Sequence, residues 1–428
     1  MARGRRLRVH ICGRPAGVLS RDSNGLLSFY YDGDYRGPQL SVRMPIGDSS
    51  YGNKVLVPYL AGLLPDADSQ REAIASEHWV RADDYFSMLD IMGLDCPGGV
   101  QFTPAARDCE VGRERAYEPV SEYDIAERLR AIRGSGDEAW AAPGEHWSLG
   151  GNQGKFALAL REGRWCSCRG SAPTTHIFKH GVSGMRLEAL DEYVCMIAAK
   201  ACGVPAAEVD YRRFADQPAL VVRRYDRVET QDGTARIHQE DMCQALGFMP
   251  NRKYAADGGP STRDVVRLLG GLNNLGANLS AFTKILFYNC LIWGIDAHAK
   301  NYSILIGHGG QFVLAPMYDV ASALPYFPGH FKGKLAMSIG GKNQYGRVSA
   351  GAIRRYAGAT EREVAEIFAD AGLTADDCLG MMADLAKMVP KAIEEAFELS
   401  PHIKGAETLR ARMVEPIADN CSMILSAL

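Results

Sequence analysis

Two acids and an amide hold the most specific chemistry in this sequence. In Asp296-Ala297-His298-Ala299-Lys300-Asn301 an aspartate precedes an asparagine by five residues, and Tyr318-Asp319-Val320 follows. That interval is the one phosphoryl-transfer loops use to place a carboxylate that takes the proton of an attacking hydroxyl and an amide that holds magnesium. Segments 302–306 and 311–314 read as short strands joined by a turn at 307–310, and this hairpin returns Asp319 to the loop. One amide, one carboxylate and the phosphate oxygens of a nucleotide suit Mg2+, which prefers hard oxygen ligands and keeps some water. Asx residues also cap ordinary turns, so the cluster alone is compatible with a capped loop. His298 follows the aspartate and reads as a loop organiser, not a base.

Further elements must position the rest of a nucleotide site. Trp147-Ser148-Leu149-Gly150-Gly151-Asn152-Gln153-Gly154-Lys155 leads into the period-two run 156–160, a turn at Glu162-Gly163, and a second strand through Trp165 and Cys168. A glycine-containing loop closing onto a hairpin exposes backbone N–H groups to phosphate. It is not a Walker A loop, because the spacing is too short and Phe156 stands where Ser or Thr should follow the lysine. Thr174-Thr175-His176-Ile177-Phe178-Lys179 then reads as a strand ending in lysine. Downstream, Leu187, Leu190, Val194, Ile197, Ala198 and Ala201 fall on one helical face, with Gly203 and Pro205 at its stop. Lys179 with Glu192, or with Glu188, supplies the strand lysine and helix glutamate that orient α- and β-phosphates in kinase lobes. Residues 220–227 read as a buried strand entering a polar linker, where a hinge touching adenine would lie.

In this order the motifs resemble those of the HipA serine/threonine kinase toxins of bacteria. They are Ser148-x-x-Gly151-x-Gln153-x-Lys155, Pro173 with the lysine strand, Val222-Arg223-Arg224-Tyr225-Asp226-Arg227, Gln239-Glu240-Asp241-Met242-Cys243-Gln244, the Asp296 to Asn301 loop and Tyr318-Asp319-Val320. Segments 13–19, 63–66 and 95–101 are similar to that family's N-terminal subdomain. The resemblance implies an α+β, bilobal, protein-kinase-like fold, related to phosphoinositide kinases, with a β-rich N-terminal subdomain (1–115), a kinase N-lobe (116–237) and an all-helical C-lobe (238–428). It implies ATP and Mg2+ as cofactors. Asp296 would accept the proton, Asn301 and Asp319 would hold magnesium, and Lys179 would bind phosphate. Arg223 to Tyr225 would form the hinge, although Arg223 stands where an acidic residue is expected. Ser148, Gly150, Gly151, Asn152, Gln153 and Lys155 would form the phosphate loop, and His298 and Lys300 would lie beside the nucleotide.

Ser148 would also be an autophosphorylation site, and about −1.5 to −2 charges added there would repel ATP phosphates and eject the loop. The family further implies a toxin that phosphorylates an aminoacyl-tRNA synthetase, the glutamyl enzyme first, and so arrests translation and growth. It implies a HipB-like helix-turn-helix antitoxin dimer as partner, with operator DNA reached only through that complex. Two alternatives stay open. One is a kinase of lipid or small-molecule hydroxyls, since the D-x-H-x-x-N order is shared with such enzymes; the other is a non-catalytic co-repressor.

Composition sets outer bounds. The chain has 428 residues, enough for two or three cores, and 48 basic against 51 acidic residues give a net charge of −3, which argues against dominant nucleic-acid binding. Arg3, Arg5, Arg6 and Arg8 precede a strand-like 7–12 with no apolar core of a signal peptide behind them. No run is expected to span a membrane, so a cytoplasmic protein is expected. The eleven cysteines are scattered, and Cys166-Ser167-Cys168 lacks a partner pair at zinc spacing. Segment 69–92 reads as helical and the charged 107–118 as a connection. Later helices are expected with Ser280 capping 282–293, Thr360 and Glu363 forming a capping box, Gly372 ending that helix, and more helix from 376 to 428.

Overall fold

The computed structural model describes residues 5–47, 49–104, 111, 115–135, 145, 147–151, 153–182, 184–327, 333–400 and 402–428. The chain divides into two compact units, one of Met1–His180, Arg213–Asn251 and Ile304–Gln311, the other of Gly181–Arg212, Arg252–Ser303 and Phe312–Leu428.

The first unit is built on two antiparallel sheets. One runs in the order Tyr51–Gly52, Leu27–Tyr31, Arg14–Arg21, Arg5–Ile11, Val100–Pro104. The other runs Gln217–Arg223, His176–Lys179, Lys155–Arg161, Arg164–Gly170, Arg115–Pro119. Alternation along strands puts neighbouring residues on opposite faces. Phe156 therefore meets Phe178 across the ladder, their rings stacked at 4.9 Å, while the next cross-strand pair on the opposite face is Lys155 with Lys179. Trp165 closes the aromatic side, edge-on to Phe178 at 4.9 Å.

The second unit is mostly helical. Its helices include Glu188–Ala201, Thr262–Gly270, Leu275–Ile292, Arg362–Asp370, Ala375–Leu399 and Ala406–Ala427. The C-lobe expected to be all helical also carries strands Lys334–Ile339 and Lys342–Gln344, because Leu335, Met337 and Ile339 alternate into the interior. The α+β class stands.

Several expected boundaries move. Ser280 lies inside the helix Leu275–Ile292, which starts after Asn274 in the left-handed region at φ 55°. Glu361 precedes the helix Arg362–Asp370 with no side-chain cap, since Arg267 takes the Glu363 carboxylate at 2.8 Å and also binds Glu361. Capping boxes form instead at Ser261 with Asp264 and at Thr374 with Asp377. Gly372, at φ 68°, does follow the helix end. The stretch 69–92 is two helices, Asp68–Glu77 and Tyr85–Met92, parted by Trp79 at φ 57°. Of the expected connection 107–118, residues 107–110 and 112–114 lie outside the described residues, and Arg115–Pro119 is a strand held by the Arg164–Gly170 ladder. The helix Leu275–Ile292 is, against expectation, long and apolar enough to cross a membrane by length and composition, but 67% of it is buried in the protein.

Candidate active site

The loop that carries Asp296 leaves the end of the helix Leu275–Ile292, and every carbonyl at that end has a partner. Asn420 donates its amide to the Cys290 and Leu291 carbonyls at 2.9 Å, Ser322 its hydroxyl to Ile292 at 2.7 Å, and Ala323 its N–H to Trp293 at 3.1 Å. A helix end leaves its last carbonyls unsatisfied, and here a distant helix and the segment after Asp319 supply the donors. Trp293 turns the chain at φ 59°. The loop then closes on itself: His298 N–H donates to the Asp296 carbonyl at 2.7 Å, and the Asn301 amide donates to the same carbonyl at 2.8 Å. This orients the Asn301 amide oxygen away from the loop backbone. The side chain of Asp296 is 66% exposed, and buried His298 places Nε2 4.0 Å from its carboxylate.

The expected hairpin returns the chain. Strands Ser303–Ile306 and Phe312–Leu314 are present, Gly307 N–H donates to Gln311 at 2.7 Å, and Ala315 N–H reaches the Ser303 carbonyl at 2.8 Å. Tyr318 then donates its hydroxyl to the Lys300 carbonyl at 2.7 Å. Asp319 follows at φ 60°, a left-handed conformation that Asp tolerates better than most L-residues and that recurs at functional sites. Asp296, His298, Lys300, Asn301 and Asp319 are thus gathered within one unit.

Tyr254 is a member the sequence did not reveal. Its hydroxyl donates to the Asp296 carboxylate, and its ring stands edge-on to His298 at 4.9 Å. Burial, then the hydrogen bond to Asp296, then the charges of Asp296, Asp257 and Asp319 push its phenol well above the ordinary range, which also places Asp319 within electrostatic reach. A cavity of about 790 Å³ opens beside Tyr254 and Asp296.

The glycine loop belongs to the first unit. Ser148 is fully buried; its N–H donates to the Asp95 carbonyl at 3.0 Å and its hydroxyl to the Leu63 carbonyl. Gly151 turns at φ +101°, a conformation that strains any side chain, and a Cβ there would stand 2.6 Å from the Lys155 Nζ and push the lysine tip aside. Gly150 and Gln153 lie in the same loop, whereas Asn152 is outside the described residues. Lys155 and Lys179 are both buried and directly opposite across the ladder. Like charges placed opposite one another favour an anionic partner. Arg223 is exposed at the strand end, and Tyr225 donates its hydroxyl to Gln239. In the other unit, Glu192 is buried on the helix Glu188–Ala201, while Glu188 accepts Val182 N–H at 3.0 Å.

Between the strand end and the loop lies a buried ionic knot. Asp95 takes Arg236 at 2.6 Å, Arg227 at 2.8 Å and Arg224 at 3.4 Å, and Asp226 takes Arg224 at 2.9 Å and Arg227 at 3.0 Å. Thr174 adds its N–H at 3.0 Å and hydroxyl at 2.7 Å. Through its carbonyl and its carboxylate, Asp95 therefore holds both the glycine loop and the segment that follows Arg223.

The oxygen donors Asn301 and Asp319 suit a hard cation. Among the described residues no group of three His, Cys, Asp or Glu would hold a metal; a cation at Asn301 and Asp319 would need further oxygen ligands such as phosphate and water.

The chain is also similar to known proteins over most of its length. Residues 7–103 match the HipA N-terminal domain and residues 147–393 the HipA-like C-terminal domain. Protein Y4mE of Sinorhizobium fredii is 33% identical over 341 residues, 77% of this chain and 79% of that protein. The serine/threonine-protein kinase toxin HipA of Shewanella oneidensis is 26% identical over 419 residues, covering 94% and 91%. The HipA chain of the solved HipA, HipB and operator DNA complex from Shewanella oneidensis MR-1 shares the fold, with a TM-score of 0.82 at 23% identity over 98% of this chain and 97% of that one. With both family domains matched in chain order, this chain belongs to the HipA family.

Proposed function

We propose that the chain is an ATP-dependent serine/threonine-protein kinase. The observation that carries the reading is the gathering of Asp296, Asn301 and Asp319 in one compact unit, the first two in the loop after the helix Leu275–Ile292, with Tyr254 on the Asp296 carboxylate. The acceptor hydroxyl oxygen bonds to the γ-phosphorus, the bond from that phosphorus to the β,γ-bridging oxygen breaks, ADP leaves, and the hydroxyl proton passes to Asp296. Asn301 and Asp319 would hold Mg2+, which when bound neutralises charge on the transferring group. Lys155 and Lys179 would face the phosphates under the glycine loop, and Arg223 to Tyr225, with His298 and Lys300, would supply further nucleotide contacts. Catalysis of this kind is chiefly positioning and electrostatics, which is what these residues offer.

The family supports a finer reading: a cytoplasmic toxin restrained by a HipB-like antitoxin dimer, bound to operator DNA through that dimer, acting on an aminoacyl-tRNA synthetase of glutamyl type. Ser148 is the proposed self-modification site. In its buried position the hydroxyl is engaged by Leu63, so modification requires the loop to swing out, and the added charge then opposes its return. The test is transfer of labelled γ-phosphate by the purified full chain. Asp296→Ala should lower the rate by at least about a hundredfold, the range general-base loss spans, with ATP binding retained; unchanged transfer would sink the kinase reading.

A further inference from the structure

The chemistry above uses Asp296 and Tyr254 at the edge of the cavity but leaves the rest of its wall unassigned. Its walls are chiefly apolar: Met185, Ile295, Ala323, Phe327, Leu335 and Ala336 contribute, and Phe327 is 43% exposed at its edge. Asp296 opens into it with a largely exposed side chain. We propose that this cavity is the acceptor subsite, and that it selects a polypeptide whose serine or threonine is flanked by an apolar side chain. The proposal rests on the kinase reading of Asp296.

Three observations favour a polypeptide of this chemistry over the nucleotide. Among the described residues of the lining, a triphosphate in the cavity would face the carboxylates of Asp296, Asp257 and Glu188 and one lysine, Lys334. The same carboxylates repel acidic neighbours of the acceptor residue, while the apolar wall favours burial of Leu-like or Val-like side chains. The wall is also preformed: Ala321 to Ala323 is anchored through Ser322, whose hydroxyl holds the Ile292 carbonyl and whose N–H holds Asp191 at 3.0 Å. A fixed wall discriminates without an ordering penalty on binding. The volume of about 790 Å³ lies within the range of pockets that enclose a small ligand or a few side chains.

The experiment uses the full chain and serine-centred peptides whose flanking residues are Leu, Ala, Asp or Lys. Fluorescein-labelled peptides report binding by anisotropy, and labelled ATP with Mg2+ reports transfer. Leu-flanked peptides should bind and react about tenfold better than Asp-flanked ones, the scale of discrimination an apolar pocket provides. Phe327→Glu and Ala336→Arg, at an exposed and a half-buried position, should erase that preference while ATP affinity and melting temperature stay unchanged. Equal use of all peptides, or a preference that survives both substitutions, overturns the proposal. So does phosphorylation of phosphatidylinositol in vesicles with no peptide use, which would make the cavity a lipid site. Leu-flanked peptides bound preferentially without transfer support the subsite and count against the kinase reading alone.

Discussion

Tyr254 lies 42 residues ahead of the carboxylate it holds, and its value to the site depends on one hydrogen atom. Tyr254→Phe keeps the ring against His298 and removes the donor to Asp296. Hydrogen bonds to charged groups contribute roughly 1.5–3 kcal/mol when buried, and the exposure of Asp296 discounts this, so a kcat loss of about tenfold with unchanged KM for ATP is expected from steady-state kinetics. An effect confined to KM would assign Tyr254 to nucleotide binding instead. The gathering of Asp296, Asn301 and Asp319 was legible because the three lie in a short stretch of chain closed by one hairpin. Tyr254 was not, since an aromatic in a polar linker has no mark that distinguishes a carboxylate's partner from a packing residue. The lysines stand between these cases. Each was legible as a strand lysine, and alternation assigns each a face, but their direct opposition depends on which strands pair and in what register, and that is decided by the aromatic side of the sheet.

The helix Leu275–Ile292 and the helix Glu188–Ala201 together hold the Asp296 loop and the segment after Asp319, and a buried acid lies on the second. Asp191 accepts Ser322 N–H at 3.0 Å, and burial above all, with the charge of Glu192 in addition, pushes its carboxyl up to about 7 despite the Ser322, Cys195 and Tyr326 donors. The folded state thus binds this proton more tightly than the unfolded chain, in which Asp titrates near 3.9, and stability should fall as pH rises from about 4 to 7 and then level off. Thermal unfolding of Asp191→Asn across that window should lack this part of the slope; an unaltered slope would mean another group causes it. Element types in this unit were readable from periodicity, but their ends were less so. Ser280 has the right side chain for a cap and the wrong neighbours, because the Asn273 and Asn278 side chains tie the preceding turn to the strand Phe312–Leu314 and let the helix begin earlier. Glu363 has the right spacing for a box and is taken by Arg267. A local rule yields wherever a long-range partner offers a stronger bond.

For the molecule as a whole, the ionic knot binds residues of the matched N-terminal domain to residues of the matched C-terminal one inside a single compact unit. A fragment starting at residue 147 would leave Arg224, Arg227 and Arg236 with Asp226 as their only carboxylate of the knot. Breaking a buried ion pair from one side costs about 3–5 kcal/mol, so this fragment should express insoluble or melt well below the full chain, and Asp95→Ala in the full chain should show much of the same loss. Burial alone would raise the Asp95 carboxyl, but Arg227, Arg236, Arg224 and the Thr174 hydroxyl hold it well below the usual carboxylate range. Its contribution is therefore complete above about pH 4 and declines as the medium is acidified further, a limb that Asp95→Ala should flatten. The motifs around Asp95 and around Arg224 to Arg227 were visible in the sequence, but their pairing with each other and with Arg236 was not, since matching charges across such distances needs the fold. That distance is also a delay. Asp95 and Arg236 are 141 residues apart, which at synthesis rates of about 5–20 residues per second separates their emergence from the ribosome by roughly 7–30 s. During that interval the glycine loop, once made, has no complete anchor, and Asp296 and Asp319 emerge later still, so the candidate site of a nascent chain is incomplete until Asp319 has been made.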